Sequence, residues 1–120
     1  MPSEHEHLWQ HQENTALRAH LRVGGGPPSG VVPQWEIALL FYAAVHWVEG
    51  RLARHGVHPR SHPDRRSLIA VYWPGANQGA LAYQDLHALS MRARYSVWRP
   101  SPADVAQADA DLNDVLAHLV

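Results

Sequence analysis

The chain has no cysteine, which excludes disulfides and thiolate-bound metals. It also lacks any long run of one charge. The formal net charge is -1 with histidines neutral, so the protein as a whole is not a general polyanion binder, and any nucleic-acid contact has to come from a local patch. No charged-then-apolar leader opens the sequence, which makes a cytoplasmic location the expectation. The most apolar stretch, Pro33 to Gly56, is broken by Glu36, His46 and Glu49, so no window of about 20 residues suits a membrane span. Strand-like alternation, GxGxxG, a P-loop, HExxH and repeats of roughly 20 to 50 residues are all missing. These absences leave one all-α domain over residues 1–120 as the expectation.

What is present begins with that apolar stretch. Proline at its entrance and Gly56 at its exit bracket a helix over residues 34–55, apolar on almost every side between Trp35 and Val48. Such a helix is buried by neighbours. Further helices are predicted over residues 4–22, 62–72, 78–97 and 102–119. Ser61 with Asp64, and Ser101 with Pro102 and Asp104, mark the starts of two of them. Gly24 to Val32 reads as a loop. In the last helix Asp109, Asp111, Asn113 and Asp114 read as the solvated face.

The polar exceptions in the apolar helix carry the chemistry. Tyr42, His46 and Glu49 fall on one stripe, and a buried imidazole or carboxylate without a partner costs several kcal/mol, by rough estimate. Another helix should answer them. Tyr83, His87, Ser90 and Arg94 form a polar stripe on the 78–97 helix, and an Arg94–Glu49 pair is one expectation. His62, Arg65 and Arg66 gather cationic groups at a helix start, which suits a phosphate or carboxylate. One pocket formed by His46, Glu49, His62, Arg65 and Arg94 follows, with Glu49 neutralised by arginine and the remaining positive charge facing an anion. Glu4, His7 and His11 stand at metal-ligand spacing near the start of the chain. They read as a solvated helix face, and no metal or cofactor is expected.

Taken together, FYAAVHWVEGRLARHGVHPRSHPDRR and YQDLHALSMRARY resemble the HEPN (higher eukaryotes and prokaryotes nucleotide-binding) superfamily over nearly the whole chain. The likeness rests on Phe41, Tyr42 and His46, then His62 and Arg65, then Ser90, Arg94 and Tyr95. It implies an up-and-down bundle of four to five helices, often a homodimer, of the kind found in toxin-antitoxin and defence systems. It also implies a module that binds RNA or nucleotide phosphate, with Tyr42, Glu49, Arg65, Arg66, Ser90 and Tyr95 contacting the ligand. The family's ribonucleases carry an arginine and, after four to six residues, a histidine; neither Arg92 nor Arg94 is followed by one here. A metal-independent ribonuclease using His46, His62 and Arg94 is the alternative, and a structural dimerisation module or partner for a cognate protein is a further one.

Overall fold

The computed structural model describes residues 3–7, 12, 32–96 and 98–120. Among them every regular element is helical and none is a strand, as an all-α chain requires. Residues 4–7 are helical; most of the predicted first helix and of the glycine- and proline-rich loop lies outside the described residues. Four helices follow: α1 (Val32–Ala53), α2 (His62–Tyr72), α3 (Asn77–Tyr95) and α4 (Pro102–His118).

Helix α1 ends as its sequence dictates. Gly56 adopts φ 70°, and the Val57 and Gly56 amides return to the carbonyls of Leu52 and Ala53. This paired closure needs a left-handed residue, which glycine supplies without strain. The chain then turns into α2, whose first turn is fixed by the Ser61 hydroxyl accepting from the Asp64 amide. The Asp64 carboxylate accepts from the Arg60 amide, one residue before the position that a full capping box would use. At α4 the box is complete, with Ser101 and Asp104 each capping the other's backbone.

Helices α1, α3 and α4 pack on one another, and α2 docks against α3. Gln34 reaches the Trp98 carbonyl, so the start of α1 lies near the end of α3, whereas the Trp47 indole donates to the Leu119 carbonyl. Helix α1 therefore runs antiparallel to α3 and parallel to α4. The core interdigitates Ile37, Leu40, Phe41, Val48 and Leu52 of α1 with Tyr83 and Leu86 of α3 and Val105, Leu112 and Val115 of α4. Each such side chain contributes about 1.5–3 kcal/mol on burial.

Two departures from the sequence reading stand out. Trp35, counted in the apolar wrap of α1, is 56% exposed, and Tyr42 is also exposed. Asp111, assigned to the solvated face of α4, is 3% exposed. The Gln107 amide reaches only its Oδ1, at 3.0 Å, and Oδ2 has no hydrogen-bond partner among the described residues. Burial raises its pKa, and Asp85 and Asp114 add to the rise. A raised acid binds its proton more tightly in the folded than in the unfolded chain, so stability falls as pH climbs through that interval. Asp111→Asn is therefore expected to stabilise at neutral pH by about 1 kcal/mol. The gain should vanish below the ordinary aspartate pKa of about 3.9, as denaturant titrations at several pH values will show.

Glycine at position 79 lets α3 and α4 touch. A Cβ there meets the His118 Cβ at 2.8 Å and the Leu119 Cδ2 at 3.0 Å. Overpacking costs about 1–3 kcal/mol, against a helix-propensity gain for alanine of about 1 kcal/mol. Gly79→Ala should thus lower the stability measured by urea denaturation, by about 1 kcal/mol net.

Candidate functional site

Two polar clusters flank the buried ring of Phe41. The first is centred on Arg65. The Ser61 cap sets α2 so that His62 and Arg65 lie on one face, one turn apart, against the C-terminal half of α1. Arg65 is 7% exposed, and its guanidinium is enclosed by protein groups. Nε donates to Glu49 Oε1 at 3.1 Å, and Nη2 donates to the same oxygen. Nη1 lies 2.8 Å from His62 Nδ1 and 3.4 Å from the Tyr83 hydroxyl. A guanidinium can only donate, so His62 Nδ1 is the acceptor and the ring carries its proton on Nε2.

Electrostatics agree with this geometry. Burial works against the Arg65 charge, but Tyr83 and Glu49 outweigh it and raise its pKa. Burial lowers the His62 pKa, and Arg65 and then Arg94 lower it further, which favours the neutral ring. His87 is shifted the same way by burial and by His62. Its ring stacks on Phe41 at 5.0 Å and lies 4.6 Å from that of His62, centroid to centroid.

The cluster continues into the N-terminal stretch. His7, 5% exposed, places Nδ1 3.1 Å from His46 Nδ1 and 3.5 Å from Glu49 Oε2. Burial lowers the His7 pKa. Glu4, one turn earlier, pairs with Arg51 at 3.4 Å and with Arg54. The row read as a solvated face of the first helix is thereby corrected: Glu4 is engaged by arginines, His7 is buried against α1, and His11 lies outside the described residues.

The second cluster is an open cleft of about 400 Å³ between the start of α1 and the end of α3, lined by Gln34, Trp35, Ala38, Tyr42, Ala93, Arg94 and Tyr95. Arg94 donates from Nη1 to the Tyr42 hydroxyl at 2.7 Å and from Nε to the Ser90 carbonyl at 3.3 Å. Its Cζ sits 5.3 Å from the Tyr42 ring, 5.2 Å from Tyr95 and 5.9 Å from Phe41. Among the described residues no carboxylate forms an ion pair with it. Trp35 and Tyr95, 56% and 72% exposed, present ring surface to solvent at the rim.

The structure therefore divides the single pocket expected from the sequence. His46, Glu49, His62 and Arg65 do meet, but Glu49 is answered by Arg65, not by Arg94, because α2 folds back over the end of α1. Arg65 spends its donors on protein groups, so it does not present free charge to an anion. Arg94 instead joins Tyr42 and Tyr95 in the cleft. Ser90 is fully buried, and its hydroxyl has no partner among the described residues. Arg66 is exposed on α2. Sequence reasoning missed Trp35 as a site residue, placed Tyr83 only in the polar stripe of the 78–97 helix, and read His7 as part of a solvated face. The signal for Trp35 was its place one and two turns before Ala38 and Tyr42, on the face that α3 leaves open.

No protein-family model, curated protein or solved structure matches the chain.

Proposed function

We propose that the protein is a HEPN-like module whose cleft between α1 and α3 binds single-stranded RNA or a nucleotide. The observation that carries this reading is Arg94: a cation without a carboxylate partner among the described residues, held by Tyr42 and Tyr95 in a cleft whose rim is open aromatic surface. Exposed rings stack on bases, with about 1–3 kcal/mol lost per ring removed, and a guanidinium grips phosphate with several donors. The chain contains no lysine, so every fixed side-chain cation is an arginine, the residue suited to combine phosphate contact with stacking. The sequence likeness to nucleotide-binding bundles points the same way.

His46 and His62 support the ribonuclease alternative less well, because one faces His7 and the other is committed to Arg65 through Nδ1. The aromatic rim could also seat a second copy of the chain or a cognate protein; no helix among the described residues is long and apolar enough to cross a membrane. Fluorescence anisotropy of labelled single-stranded RNA, alongside sedimentation of the free protein, separates these readings. The RNA reading expects saturable binding that Trp35→Ala and Tyr95→Ala each weaken roughly tenfold. Absence of binding to RNA or free nucleotide, with a dimer that the same substitutions dissociate, would replace it by self-association. Loss of RNA length in wild type but not in His62→Ala would establish cleavage.

A further inference from the structure

His7, His46 and Glu49 belong to no part of the cleft, and their arrangement has its own consequence. We propose that these three side chains form a binding site for a single zinc ion, between the N-terminal helical stretch and α1. Ligating atoms of all three lie within 4.8 Å of one another. The two imidazole Nδ1 atoms are 3.1 Å apart, and Glu49 Oε2 is 3.5 Å from that of His7. Zinc holds nitrogen and carboxylate oxygen at about 2.0–2.2 Å. Around an ion about 2.05 Å from each atom, these separations correspond to angles of roughly 98° and 117°, on either side of the tetrahedral value of about 109°. The remaining pair, His46 and Glu49, lies within 4.8 Å, and it closes toward the tetrahedral separation of about 3.3 Å as the side chains turn onto an ion.

One hydrogen bond cannot join all three of these atoms. His7 Nδ1 carries at most one proton, which cannot serve both His46 Nδ1 and Glu49 Oε2, and 3.5 Å is long for such a bond. A cation engages all three at once. The surroundings are also built to hold the ligands. Arg65 grips Oε1 of Glu49 and leaves Oε2 for the trio, the role of a neighbour that orients a ligating carboxylate. Ser3 and Glu6 cap each other's backbone amides, starting the helical stretch one turn before His7. The pairs from Glu4 to Arg51 and Arg54 tie that stretch to the end of α1, and His7, one turn on, is brought over His46 and Glu49. Two imidazoles and a carboxylate suit zinc, and among the described residues these three ligands leave one of four coordination positions for a further ligand.

Titration calorimetry of the full, tag-free chain with zinc chloride tests the site, with thermal melts and cobalt(II) absorption as independent readouts. The expected result is one equivalent bound, with a raised melting temperature and a four-coordinate cobalt spectrum. His7→Ala and His46→Ala should each weaken binding at least a hundredfold, while His5→Ala, at an exposed neighbouring histidine, should leave it unchanged. Removing His7 alters the terminal stretch and not the helices of the core, so circular dichroism should show that variant folded. No zinc uptake, or uptake that persists in His7→Ala, overturns the proposal and assigns any binding to surface histidines. RNA affinity is unaffected by either outcome, because the cleft contains none of these ligands.

Discussion

Arg65→Ala and Glu49→Ala are each expected to lower the stability of the fold by about 3 kcal/mol, the range for breaking a buried pair from one side. Removing Arg65 leaves the Glu49 carboxylate, largely shielded from water, without its cation, and takes the donor from His62 Nδ1 and from the buried Tyr83 hydroxyl. Removing Glu49 leaves an enclosed guanidinium whose Nε and Nη2 both lose their acceptor. The loss arises from the stranded group more than from the pair itself. The double variant Arg65→Met, Glu49→Leu should accordingly regain much of the loss, since apolar replacement of both partners is often close to neutral. Urea denaturation of the four proteins measures this. Single variants as stable as wild type, or effects that simply add, would show that the pair does not organise the junction of α1, α2 and α3.

The second large effect concerns ligand binding. Arg94→Ala is expected to weaken single-stranded RNA binding about 50-fold, or roughly 2.3 kcal/mol, while costing little stability, because Arg94 sits at a partly open surface. Its contacts are to a hydroxyl, a carbonyl, the Met91 thioether and aromatic rings, none of which is left as a buried charge when it goes. Loss of one phosphate contact should also reduce the dependence of log affinity on log salt by about 0.7. Arg94→Lys should restore only part of the affinity, because an ammonium keeps the charge but neither stacks nor forks. Anisotropy titrations at several salt concentrations give both quantities. A variant with wild-type affinity and salt slope would remove Arg94 from the interface.

The contrast between these two arginines shows what the sequence could convey. Helix limits were legible because they have local causes: Gly56 closing α1, Ser61 starting α2, and the Ser101–Asp104 box starting α4. The need of His46 and Glu49 for partners was legible too, from their place on an apolar helix. Which arginine would answer Glu49 was not, because helical period tells which residues share a face and not which face a neighbour covers. The turn after Gly56 decides it by bringing α2, and with it Arg65, over the end of α1. Asp111 and Trp35 were misplaced for the same reason. An aspartate in an acidic run reads as solvated until α3 packs against it, and a tryptophan reads as core until the helix end beside it is found uncovered. His7 stood out only by its spacing from Glu4 and His11; its burial was not legible, since it goes with the ion pairs that Glu4 makes with Arg51 and Arg54.

The most direct measurement of the cleft as the RNA or nucleotide surface follows the tryptophan indole N–H resonances while single-stranded RNA is added to the full chain. Trp35 stands at the rim, whereas the Trp47 and Trp73 indoles donate to the Leu119 and Val120 carbonyls away from it. Binding in the cleft predicts that the Trp35 resonance, with the backbone amides of Ala93, Arg94 and Tyr95, moves to saturation while Trp47 and Trp73 hold still. Saturable shifts centred on Trp47 or Trp73 with Trp35 unmoved, or no shift at any RNA concentration, would contradict it.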